Sequence, residues 1–314
     1  MDNISSEELI KEYYKFYDNR KLFEQKIDLN SYFMTFSEWL TYYINDDIYG
    51  VDLKECLSNS NNRVYKTNMT IDTCKEIAHD FYYDLGKKMG ESFDAIINNT
   101  ENNIVNIDKN IFGEKIENTC FSSISDNLVD SHLYGIMEIK NYDTIETLYG
   151  IVHECMHAIT TVNNKYTEST FAVREVPAYF VESLLCDYLL ENYEKYNLNK
   201  ENIFHDVNLW KLRRYVDYFD IENNSYNSEY FLGLLLNAKF EQLSNAQKKQ
   251  QLKLLVDYLN NDRLDIALKS IDFRLNEGEK KETSPYLKAL SNNFMNIVKN
   301  MKQDEYFTVD RVFK

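Results

Sequence analysis

Tyr149-Gly150-Ile151-Val152-His153-Glu154-Cys155-Met156-His157 lies near the middle of the chain, and its reading decides the rest. His153 and His157 are four residues apart, so on a helix their imidazoles share one face about one turn apart. The opposite face carries Leu148, Ile151, Val152, Cys155 and Ile159, an apolar set that buries such a helix. Just upstream, Asn141, Tyr142, Asp143 and Thr144 break the chain. Asp143 is read as the N-cap, with Glu146 completing a capping box, and the helix is expected to run to about Thr161. Two imidazoles so placed bind one Zn²⁺. Glu154, turned slightly aside, is positioned to accept a proton from an attacking water and return it to a leaving amine. Cys155 falls on the core side and is read as packing, neither ligand nor nucleophile.

Catalytic zinc needs a third protein ligand and an open position. His205 lies far downstream with no supporting spacing, so the ligand is sought among Glu168, Glu175 and Glu182. Glu175 and Glu182 are seven residues apart and share a helix face. Pro177 is tolerated in a helix's first turn, which puts Glu175 at the start of a helix over residues 174–192. From there it reaches a metal held by the neighbouring helix. Glu182, two turns on, is placed to orient a ligand histidine by accepting its other N–H.

Outward from this centre the chain reads as mainly α. Residues 1–90 are expected to be helical, with one helix opening at Ser6, another over 31–44 and a clearer one over 70–85. The polar run at 98–103 is read as a connection between an N-terminal helical lobe, 1–110, and a catalytic zinc-binding lobe, 111–314. Residues 133–139 look like a short strand, part of one small sheet near the middle. Further helices are expected over 210–219, 229–243, 246–260 and 285–301.

Composition agrees with helix and excludes some partners. There are only 2 Pro and 8 Gly in 314 residues, so breakers are scarce. A net charge of −16 with no basic patch argues against nucleic acid. No stretch reaches the ~18 apolar residues of a membrane span. The start of the chain, Met1-Asp2-Asn3-Ile4, lacks the basic and apolar regions of a signal peptide. Five cysteines without CxxC spacing then point to reduced thiols and a cytoplasmic location.

The segment from Gly135 to Leu190 resembles the core of the M3 metallopeptidases, the thimet oligopeptidase and oligoendopeptidase F group. The resemblance rests on the strand, turn and His153-Glu154 helix, and on Arg174-Glu175-Val176-Pro177-Ala178-Tyr179-Phe180-Val181-Glu182, similar to the family's Glu-x-Pro-Ser-Gln-x-x-Glu. It rests also on Tyr226, Tyr230 and Gly233, similar to a tyrosine-rich segment that faces the zinc. It implies that Glu175 is the third zinc ligand. It further implies a zincin-type helical fold of two lobes, with a small β-sheet at the cleft between them, and cleavage of short peptides. Tyr226 and Tyr230 become candidates to hydrogen-bond the oxyanion. The chain departs from the family in its shorter length, in Thr160 where many members have a histidine, in Ala178 and Tyr179 for Ser and Gln, and in the lack of a histidine before Tyr226.

The expectation is therefore a zinc metallopeptidase whose partner is a peptide, with no nucleic-acid or membrane partner, and with an extended substrate adding its backbone to the edge of the 133–139 strand. An aminopeptidase-like gluzincin uses similar spacing but needs an acidic pocket for the free amine. A peptide-binding or regulatory protein that kept the zinc helix for stability has no need of Glu154.

Overall fold

The computed structural model describes residues 64–98, 103–107, 119–123, 134–160, 175–216, 227–260 and 285–302. Over these the protein is mainly helical. The elements run α1 (Ile71–Leu85), α2 (Lys87–Asn98), β1 (Asn103–Ile107), β2 (Thr119–Ser123), β3 (Tyr134–Ile139), α3 (Ile145–Thr160), α4 (Glu175–Asn192), a 3₁₀ turn (Tyr193–Tyr196), α5 (Lys200–Val216), α6 (Asn227–Phe240), α7 (Asn245–Asn260) and α8 (Pro285–Lys302). The helices expected near Ser6 and over 31–44 lie outside the described residues, as does most of the connection at 98–103. No described helix is long and apolar enough to cross a membrane.

The strand order is β1-β3-β2, with β1 parallel to β3 and β2 antiparallel to it. This corrects the idea that a peptide adds to the strand at 133–139. β3 is the middle strand, and its backbone groups are already paired on both sides. Met137 and Ile139 are buried, and β3 packs beside α3.

The turn from β3 into α3 also differs from the sequence reading. Asp143 is not the cap. It sits in the left-handed region at φ 52°, a conformation Asp tolerates better than most residues. Its side chain is held by Asn141 Nδ2 at 3.0 Å. Thr144 caps instead, its Oγ1 accepting from Glu146 N at 3.3 Å. Glu146 does not close a capping box; its carboxylate accepts from Arg213 of α5 at 3.1 Å.

A strap, residues 64–70, fixes where α3 begins. Met69 N donates to Asp143 O at 3.0 Å, and Ile145 N to Thr67 O at 3.3 Å. From the other side, Asp206 of α5 accepts Lys66 N and Thr67 N, each at 2.7 Å. The strap then ends at Thr70, whose hydroxyl caps α1 by accepting from Thr73 N.

α3 and α4 form the centre. α3 is not amphipathic in the sense the spacing suggested, because nearly every residue from Ile145 to Ile159 is buried, on both faces. α1, α2, α4 and the sheet all pack against it. A helix enclosed in this way must satisfy its polar side chains internally. α4 is similarly enclosed, with α6 its most extensive neighbour. Tyr82 Oη reaches across from α1 to the Val152 carbonyl at 2.7 Å, one residue before His153. Tyr149 of α3 stacks on Trp210 of α5, with centroids 4.1 Å apart and planes within 6°. Phe180 of α4 stacks on Phe240 of α6 at 3.9 Å. Cys74, Cys155 and Cys186 are buried, and none of the three is in a disulfide.

At Gly233, α6 passes against the Tyr179 ring of α4. A Cβ there would lie 2.8 Å from the Tyr179 ring. Ala is the better helix former by about 1 kcal/mol, but the buried ring has to move to admit it. Gly233→Ala is expected to destabilise the fold by about 1–3 kcal/mol, read as a lower midpoint in urea unfolding. A midpoint at or above that of the wild type would mean that the ring swings aside without cost.

Candidate metal centre

Three side chains from two helices converge. His153 and His157 project from one face of α3, and Glu175 opens α4, with Pro177 in the first turn as the spacing requires. The Nε2 atoms of the two histidines are 3.0 Å apart, with the rings nearly perpendicular at 83°. Glu175 Oε2 lies 3.3 Å from His153 Nε2, and Glu175 Oε1 lies 3.4 Å from His157 Nε2. All three residues are buried. Among the described residues this is the one cluster of His, Cys, Asp or Glu that could hold a metal ion.

The donor set fits zinc. Zn–N and Zn–O bonds of ~2.0–2.1 Å at tetrahedral angles put neighbouring ligand atoms about 3.3 Å apart. The observed separations of 3.0, 3.3 and 3.4 Å have that scale. Glu175 Oε2 is also buried without an aligned hydrogen bond of its own. An oxygen in that condition is costly unless a cation or donor meets it.

Glu182, two turns along α4, orients one of the two histidines. Its Oε1 is 2.6 Å from His153 Nδ1. A carboxylate offers only acceptors, so Nδ1 carries the proton and donates, leaving the Nε2 lone pair directed at the cluster. Three further hydrogen bonds hold Glu182 from α5. Trp210 Nε1 donates to its Oε2 at 3.1 Å, Arg214 Nε donates to the same atom at 3.0 Å, and the Arg214 Nη2 group donates to Oε1.

The charges follow from these contacts. Burial alone would lift the Glu182 carboxyl, but Arg214 and His153 hold it below the usual carboxylate range. Burial acts on Glu175 in the same direction, and there His157 and His153 hold it well below. For His153, burial opposes the charged ring, yet the facing carboxylates of Glu175 and Glu182, with Glu154 beyond them, lift it to about 10. The facing carboxylates thus favour positive charge at the imidazoles, whether it is carried by a proton or by a metal ion that displaces it.

Glu154 lies next to His153 on α3 and is 4% exposed. Cys155 points elsewhere: its thiol lies 3.9 Å from Met137 Sδ on β3, away from the cluster, as its place in the helix suggested. Thr160 folds back on α3, its hydroxyl within 2.9 Å of the Met156 carbonyl. His205 is buried on α5 and is no part of the cluster. Glu168 and Tyr226 lie outside the described residues. Tyr230 falls on α6, and its side chain lies outside those described.

Trp210 and Arg214 were not read from the sequence as parts of this site. Their signal was present but weak: they are four residues apart on one helix face, so an indole N–H and a guanidinium point the same way. Comparison with protein-family models, curated proteins and solved structures finds no match for the chain.

Purified protein is expected to carry one zinc, counted by elemental analysis, and His153→Ala to lose it. Glu175→Ala should abolish or greatly weaken zinc binding, whereas Glu182→Ala should weaken it about 10–100-fold. Competition with a chromophoric chelator separates the two. The reverse order would exchange their roles.

Proposed function

We propose that the chain is a zinc-dependent metallopeptidase that hydrolyses short, unstructured peptides. The observation that supports this is the set of three donor atoms spaced as edges of a zinc tetrahedron, with Glu154 beside them on the same helix. Zn²⁺ held by His153, His157 and Glu175 would supply Lewis-acid activation of water and of the scissile carbonyl. Glu154 takes a proton from the attacking water and hands it to the departing amine nitrogen, so one carboxylate serves as base and then as acid. Glu182 keeps His153 in the tautomer whose Nε2 is a ligand. Tyr226, with Tyr230 after it, is assigned to the carbonyl oxygen that gains charge during attack, as the likeness to the M3 metallopeptidases implies.

The finer architecture belongs to the same proposal. It is a zincin-type fold in which helical lobes over 1–110 and 111–314 flank a cleft with the small sheet at its edge. The Glu154 carboxylate also favours an enzyme over a zinc site kept for stability, because a structural site has no use for a base beside the ligands.

Glu154→Gln keeps size and removes the basic group. It should retain zinc while turnover of a peptide library, followed by mass spectrometry, falls by about 10²–10⁴. Turnover close to that of the wild type would remove Glu154 from the mechanism.

A cleft between lobes also filters substrates by size. A folded protein must first unfold to present an extended segment, at a cost of about 5–15 kcal/mol, and a free peptide has no such barrier. The expected result is cleavage of a peptide but not of the same sequence inside a stable folded protein. Equal rates for both would indicate a protease with an open site.

A further inference from the structure

We infer that Arg214, together with Trp210, is a positioning residue for the metal ligand His153, acting through Glu182; the inference rests on the zinc-centre reading above. Glu182 is buried, with its side chain 4% exposed, so each lone pair needs a donor from the protein. His153 supplies one, and the other three come from α5: two from Arg214 and one from Trp210. The guanidinium grips both oxygens side-on, which fixes the carboxylate plane as well as its place. A carboxylate free to rotate would not hold the His153 ring in one orientation.

The fork is itself held. Arg214 lies over the Trp210 ring at 4.5 Å and over the Tyr179 ring at 5.0 Å. Gly233, by admitting the Tyr179 ring against α6, gives that second face its position. Contacts therefore run unbroken from α6 through Tyr179, Arg214 and Glu182 to His153. Lys211 borders the same recess but is committed to Glu241 at 3.2 Å. Lys in place of Arg214 would restore charge but neither the two-point grip nor the stacking.

The test measures zinc affinity by chelator competition in the full chain, with no reference to turnover. Arg214→Ala is expected to weaken zinc binding about 10–100-fold, Arg214→Lys to recover part of the loss, and Trp210→Phe, which removes one donor, to cost less than Arg214→Ala. The deciding measurement is the double variant. If Arg214 acts through Glu182, Arg214→Ala adds less than about threefold once Glu182→Gln is in place, because interacting residues are not additive. The same loss in both backgrounds would make Arg214 a merely structural residue and overturn the inference. So would unchanged affinity in Arg214→Ala. Should Arg214→Ala not fold, Trp210→Phe decides, and unchanged affinity there overturns the clamp. Wild-type protein that takes up no zinc would instead refute the metal centre itself, an outcome distinct from the failure of Arg214 alone.

Discussion

Ionisable side chains on α3 and α4 have been taken out of water, and the surrounding structure is arranged to compensate them. His153, Glu154, His157, Glu175 and Glu182 are each at most 8% exposed. Burying a charge without a partner is among the largest penalties a fold can carry. The partners have to come from elements distant in sequence. α5 brings Arg214 and Trp210, and α4 brings its two glutamates to the histidines of α3. The centre of the protein is thus a charge-balancing problem, and the helix packing is one solution to it.

That constraint explains why α3 is held so firmly. Its start is tied to the strap, the strap to Asp206, and its middle to Tyr82. The α5 helix takes part at both ends of this arrangement: Asp206 anchors the strap, Arg213 holds Glu146, and Arg214 holds Glu182. A helix with little amphipathic character is therefore central to the site. Its inward face carries polar anchors among apolar residues such as Ile203, Val207 and Leu212.

Much of the core was legible because its signals are local. Four-residue spacing put His153 and His157 on one face, and Pro177 placed Glu175 at a helix start. The seven-residue step from Glu175 to Glu182 gave the orienting carboxylate, which the structure brings against His153. What failed was non-local or turned on one backbone angle. Asp143 and Thr144 are both good caps, and only the left-handed φ at Asp143 separates them. The start of α5 at Lys200, well before the expected 210, was hidden because Glu201, Asn202, His205 and Asp206 break the apolar pattern. The central position of β3 depends on partners from two other segments, which no pattern within 133–139 contains. Arg214 was missed for the same reason: its role exists only once α5 lies against α4.

The spacing of these contacts along the chain has a consequence for the order of folding. His153 and Glu182 are 29 residues apart, whereas Thr67 and Asp206, which lock the strap, are 139 apart. Closing the longer loop costs about 1.4 kcal/mol more in chain entropy. The contacts of α4 with α3 and with α5, where Trp210 and Glu182 are 28 residues apart, are thus the cheaper ones to form first, and they create a surface on which the N-terminal strap later closes. On this account the cluster of His153, His157 and Glu175 comes together early rather than being a late addition to a finished scaffold.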